Sequence, residues 1–175
     1  MLTFKMSYVQ GLIPGCSTVL PFTLDVIAAS ILLCLCTGTL VAVIRIAKVP
    51  FLHQLCEVWL SYNRSMPFIL DLYLVYFVLP VIVRAFHISP DGWPLTAYVL
   101  IALGFHYTPV ISEIIRPAYL SVDRGQHEAA MVFGLSPFHR VVHIIAPQAL
   151  PVALPSLVSE AINILKDTSV MFFIG

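Results

Sequence analysis

"VIAASILLCLCTGTLVAVI", Val26 to Ile44, carries no charge and is bracketed by Asp25 and Arg45. A helix of that length rises about 28 Å at ~1.5 Å per residue, close to the ~30 Å hydrocarbon thickness of a bilayer. The rest of the chain agrees. Of 175 residues, 10% are charged and 59% hydrophobic, and mean hydropathy is +0.95. A soluble domain carries roughly 25% charged residues, so the composition points to a membrane protein. The formal net charge of zero argues against nucleic acid as a partner.

Three more apolar runs follow. "MPFILDLYLVYFVLPVIV" lies between Arg64 and Arg84 and holds one acid, Asp71. Gly92 to Ser112 lies between Asp91 and Glu113, and Val141 to Ser159 contains Pro147, Pro151 and Pro155. Spans are expected at residues 22–46, 65–84, 93–115 and 147–166, in a single all-α, polytopic transmembrane bundle covering residues 1–175. The three prolines argue against one straight fourth helix. The first apolar span is too long for a cleavable signal peptide and lacks a basic region directly before it. "PFLHQLCEVWLSY", Pro50 to Tyr62, is too short to span and reads as an amphipathic helix at the inner surface.

Basic residues set the orientation. Arg45, Lys48 and Arg64 lie between spans one and two, and Arg116, Arg124 and Arg140 between spans three and four. Lys5, Arg84 and Lys166 are left for the other side. The richer loops are therefore expected in the cytoplasm and the N-terminus outside, with Trp93 as an outer interfacial anchor. Of the four cysteines, Cys16, Cys34, Cys36 and Cys56, Cys34 and Cys36 point about 200° apart on a helix and read as small apolar fillers rather than a redox or metal pair. No metal site is expected: His139 and His143 have i, i+4 spacing, but no third ligand is evident.

The segment between spans three and four, about 121–146, is unusually well structured. Asp123 can cap a helix, with Gln126 reaching back as in a capping box. Gly134 fits the left-handed position that ends helices. Ser136 caps a second helix with Pro137 at its first position, and this helix is expected to stop near Pro147. Two short helices on a tight turn would present Ala129, Ala130, Val132, Phe133 and Leu135. An exposed apolar knob beside a membrane suits a docking site; a helix lying on lipid fits equally well.

"EAAMVFGLSPFHRVVHIIAP" resembles the EAA loop of bacterial ABC-importer permeases. Glu128, Ala129, Ala130, Gly134, Ile144 and Pro147 match at the family's spacings, with Ala146 where leucine is usual. "NRSMPFILDLYLVYFVLP" resembles the polar amino-acid subfamily, cystine-like or histidine-like, through Arg64, Pro67, Leu72, Tyr76, Phe77, Leu79 and Pro80. "SEIIRPAYLSVDRGQHEAA" and "LKDTS" are further subfamily features. The resemblance covers roughly Asp25 to Gly175. It implies a bacterial inner-membrane permease of an ATP-driven amino-acid importer, of the type I kind. Partners would be an ATP-binding subunit, a second permease subunit, like or related, an extracytoplasmic solute-binding protein, the amino-acid substrate and membrane lipid. ATP and Mg would be bound by the ATPase, since this chain lacks a phosphate-binding GxxxxGK[ST] loop, and no cofactor or catalytic residue is expected here. Glu128, Ala129, Ala130, Gly134 and Pro147 would couple to the ATPase. The family continues past the "KDTS" segment into another helix and a basic tail, so the chain reads as truncated.

Ionisable residues inside spans usually face a cavity or a partner. Asp71 and Glu160 stand where the subfamily often has glutamine, and either could meet the positive end of a cationic or dipolar amino acid. A buried ion pair with Lys166 or Arg64 is the alternative. Lys166, Asp167, Thr168 and Ser169 could line the path or form an outer turn. Glu113 and Arg116 are expected to pair within one helix. The rival function is an ATPase-independent secondary transporter or channel using the intramembrane acids.

Overall fold

The computed structural model describes the backbone of residues 6–173 and the side chains of residues 17–171. Lys5 and Gly175 lie outside the described residues, as does the Cys16 side chain. Helices account for the ordered elements: α1 (Met6–Ile46), α2 (Leu52–Ser65), α3 (Phe68–Tyr73), α4 (Leu79–Ala85), α5 (Leu95–Leu120), α6 (Arg124–Val132), α7 (Pro137–Arg140) and α8 (Ala146–Asp167), then a 3₁₀ turn, Thr168–Phe173. A π turn, Leu74–Val78, joins α3 to α4, and another, Val141–Ile145, joins α7 to α8. Among the described residues, four helical stretches are long and apolar enough to cross a membrane: Ser17–Ile46, Phe68–Ala85, Leu95–Leu120 and Pro137–Met171.

Helix α5 is the centre of the bundle, with α1, α2, α3 and α8 packed around it. Half of its most apolar stretch is buried, against 11% for the stretch containing α8. The outward face of α8 is therefore left for lipid or another subunit. The α1–α5 seam is close because α1 repeats small residues every fourth position. Ser30, Cys34, Gly38 and Ala42 are all buried, and i, i+4 residues share one helix face. Small residues at that spacing let two backbones approach, as in membrane helix pairs generally. A Cβ on Gly38 would lie 2.6 Å from Ile111 Cβ, leaving no room for any other residue. Polar groups within the seam are satisfied: Thr37 and Thr108 share a 2.6 Å hydroxyl contact, and Cys34 Sγ faces the Leu103 carbonyl at 3.6 Å. Cys34 is a buried filler, whereas Cys36 faces outward.

Several elements differ from the sequence reading. Helix α1 begins at Met6 and runs through Pro21, well before residue 22. The second loop helix does not stop near Pro147 but continues through Pro147, Pro151 and Pro155 to Asp167. Those prolines recur every fourth residue, so they share one face, and all three are exposed. Each costs one backbone bond, while Ala153, Leu157 and Ile164 hold the opposite face in the bundle. Both π turns end just before a proline. The Leu79 amide bonds the Leu74 carbonyl ahead of Pro80, and the Ala146 amide bonds the Val141 carbonyl ahead of Pro147. The widened turn gives the pyrrolidine ring clearance from the carbonyl four residues back.

Helix α2 is clamped by Arg45, which is 5% exposed. Its Nε donates to Glu57 Oε1 at 3.0 Å and its Nη1 to Ser112 Oγ at 3.1 Å, tying α1, α2 and α5 together. Glu113 pairs with Arg64 of α2 rather than with Arg116; the cross-helix partner was invisible to a local i, i+3 rule. The hydrogen bond from Arg45 holds the Glu57 carboxyl below its ordinary range. The stabilisation is therefore complete above ~4.3, the unfolded value, and is lost as pH falls through the depressed folded value. Proteolysis of the α2 segment should accelerate on acidification below about pH 4, and Arg45→Met should remove most of that dependence. A wild-type pH profile in Arg45→Met would contradict the clamp.

Candidate functional site

The 123–147 segment is built from consecutive stop and start signals. Asp123 Oδ1 accepts from the Gly125 amide at 2.6 Å, capping α6. The Gln126 backbone amide bonds the Asp123 carbonyl, but among the described residues the Gln126 side chain does not reach back to close the capping box expected from sequence. At the other end Gly134 has φ +73°, its amide bonds the Met131 carbonyl, and the Leu135 amide bonds that of Ala130. This pair of bonds is the Schellman arrangement, which needs a residue at positive φ. Ser136 Oγ then accepts from the His139 amide, with Pro137 in the first turn of α7. The turn is thereby rigid, and the chain leaves it through the π turn directly into α8.

The surface of this knob is apolar. Val132 is 86% exposed and Phe133 84%, with Met131 and Phe138 also open. Ala129 and Glu128 are exposed beside them, and Pro147 lies on the exposed face at the start of α8. Ala130 corrects the sequence reading: it is buried, against the inner side of the loop. Its carbonyl is the acceptor of the Schellman bond, so it shapes the turn from beneath. Tyr119 of α5 meets the His127 ring at 5.3 Å and holds α6 to the bundle. His139 and His143 stack at 5.4 Å, and the described residues contain no cluster of three or more metal-ligating side chains.

The intramembrane acids gather on one step of α5, His106–Tyr107. Asp71 has no exposed surface. Its Oδ1 accepts from the Tyr62 hydroxyl at 2.8 Å, and its Oδ2 meets His106 Nδ1 at 2.7 Å. The Tyr62 hydroxyl is pushed up to about 12 by burial and by this carboxylate. Neither Lys166 nor Arg64, the partners considered from sequence, supplies the pairing. Asp167 Oδ2 accepts from the Tyr107 hydroxyl at 2.7 Å. Glu160, half-buried and hydrogen-bonded by Asn163, lies within electrostatic reach of the same hydroxyl. Thr168 is buried and bonds the Leu165 carbonyl, whereas Lys166 and Ser169 are exposed. Sequence reasoning missed His106, Tyr62 and Tyr107, which meet these acids across 9 to 60 residues. A histidine within an apolar run was the available signal.

Comparison with known proteins agrees with the helical fold. Residues 34–175 match the family described as "Binding-protein-dependent transport system inner membrane component". The chain is 32% identical to the "Probable amino-acid ABC transporter permease protein PatM" of Vibrio harveyi, over 98% of this chain and 75% of the relative. It is also 32% identical to the L-cystine transport system permease protein TcyL of Bacillus subtilis (strain 168), over 98% and 72%. A crystal structure of an amino acid ABC transporter with histidines shares the fold, with TM-score 0.79 and 24% identity, covering 99% of this chain and 78% of that one. Capped loop, helical bundle and relatives together place the chain in the family of inner-membrane components of binding-protein-dependent transport systems: it is a non-enzymatic permease subunit of an ATP-driven importer.

Proposed function

We propose that the chain forms half of the path of an amino-acid importer and receives the ATPase stroke through its 123–147 knob. The observation that carries this reading is the exposed apolar surface on a rigid, doubly capped turn that runs without a break into α8. On this reading the knob faces the cytoplasm, the N-terminus lies outside, and an ATP-binding subunit seats Val132, Phe133 and Ala129. Glu128 pairs with a basic or amide group of that subunit. Gly134 fixes the angle between α6 and α7, with Ala130 supporting the turn and Pro147 marking the π-turn hinge into the span. A second permease subunit completes the path along the open face of α8, and an external binding protein delivers the cargo.

For the cargo, Glu160 and Asp167, with Lys166, Thr168 and Ser169 beside them, offer polar groups near Tyr107 for a dipolar or cationic amino acid. Asp71 acts one residue away, setting the position of His106. The names of PatM and TcyL, one an amino-acid permease and one an L-cystine permease, support an amino-acid cargo.

Reconstitution with the cognate ATPase tests the lever. No atom would lie within 4 Å of a Cβ on Gly134, so Gly134→Ala costs only the left-handed backbone, about 1 kcal/mol. The protein should fold, yet transport per ATP should fall several-fold, and Glu128→Lys should weaken ATPase binding. Normal transport per ATP in both variants would reject the lever.

A further inference from the structure

A second site lies at the far end of the bundle from the knob, where α4 ends and α5 begins. The loop between them, residues 86–94, forms one side of an open pocket of about 370 Å³, at the lower end of the ~300–1,000 Å³ range of small-molecule sites. Tyr76, Trp93 and Tyr98 line it, with Arg84 and Asp91 at its mouth. Tyr98 stands edge-on to Tyr76 at 5.4 Å and tilted against Trp93 at 5.8 Å. Tyr76 comes from the first π turn, the local irregularity that often accompanies a functional position.

The loop is held in place. His87 has φ 61° and Gly92 φ 93°, two left-handed positions within six residues. Arg84 Nη2 and Ser89 Oγ both donate to the Asp91 carboxylate, at 2.6 and 2.8 Å. Ser89 first, then Arg84, hold that carboxyl below its ordinary range, so Asp91 is ionised at neutral pH. The mouth therefore offers one fixed positive and one fixed negative group beside an aromatic wall. Arg84 and Asp91 are 58% and 72% exposed, and ion pairs so exposed exchange partners at little cost.

We propose that this pocket is an entry subsite for a small ligand carrying both an ammonium and a carboxylate. The carboxylate takes a charge-assisted bond from the Arg84 guanidinium. The ammonium sits between Asp91 and the ring faces, where cations are attracted within ~6 Å of a ring. Each charged end replaces one half of the Arg84–Asp91 pair, so neither residue is left unpaired. The proposal rests on the amino-acid cargo and outside orientation given above. Cargo released by the binding protein would meet this subsite before the His106–Tyr107 belt.

The chain has two tryptophans, so Trp59→Phe leaves Trp93 as the sole reporter in the purified protein in nanodiscs. Titration with glycine, L-glutamine, L-glutamate and L-arginine should give a saturable change in Trp93 fluorescence with at least one of them. Arg84→Gln and Asp91→Asn should each weaken it about tenfold, the effect of losing one charge-assisted bond. n-Butylamine and butyrate, each carrying one charge, should bind at least as weakly. A flat titration with all four amino acids overturns the proposal, as does unchanged affinity in both variants or n-butylamine matching the best amino acid. Uptake with the complete importer separates the two readings. Amino-acid uptake with a flat titration removes only the subsite; a saturable titration without uptake of any amino acid removes only the cargo.

Discussion

Gly38→Val is expected to abolish stable, extractable protein. A Cβ at Gly38 would meet Ile111 Cβ and Cγ2 at 2.6 Å and the Thr108 carbonyl oxygen at 3.2 Å. None of these can swing aside, because one is backbone and the others begin a β-branched side chain. Helix propensity favours the change, alanine over glycine by ~1 kcal/mol. Overpacking opposes it by ~1–3 kcal/mol, sometimes more, and valine adds two methyl groups to the clash. Sterics therefore win, with a net loss of about 2 kcal/mol or more and separation of α1 from α5. The monodisperse fraction after detergent extraction and its thermal midpoint measure it. Gly38→Ala with Ile111→Ala should lose less than the sum of the two single variants, as expected for residues in contact. A wild-type midpoint in Gly38→Val would show that α1 does not pack on α5 through this residue.

The second large effect is at Asp71. Asp71→Leu removes the partner of both His106 and Tyr62 at a site with no solvent exposure. Breaking a buried hydrogen-bonded pair from one side costs about 3–5 kcal/mol. Replacing both partners by apolar groups is often close to neutral. Asp71→Leu should therefore lower the thermal midpoint steeply, and Asp71→Leu with His106→Phe should restore much of it. An additive double variant, no better than the sum of the singles, would mean that the pair is not coupled.

The two halves of the molecule differ in how far they could be read from sequence. The spans and the knob are local features. Asp123, Gly134, Ser136 and Pro137 each act within a turn, so their spacing alone specified the caps and the left-handed stop. Long-range contacts left no such trace. The Arg45–Glu57–Ser112 clamp and the meeting of Asp71 with His106 depend on which faces of α1, α2, α3 and α5 are apposed. Nothing in any one segment states that. Proline misled in a different way. Pro147, Pro151 and Pro155 argue locally for a break, but α8 spaces them along its exposed face and places a π turn ahead of the first. The continuous rod that results joins the knob to the bundle, and the proposed lever depends on this continuity.

Phe133 gives the most direct test of that lever. It is 84% exposed at the tip of the knob, so Phe133→Asp removes apolar contact area without disturbing the bundle. The measurement is the amount of cognate ATPase subunit that co-purifies with the permease, with the thermal midpoint as a control for folding. Phe133→Asp should lose most of the ATPase at an unchanged midpoint. Retention of the ATPase at the wild-type level, with the variant folded, would contradict the lever.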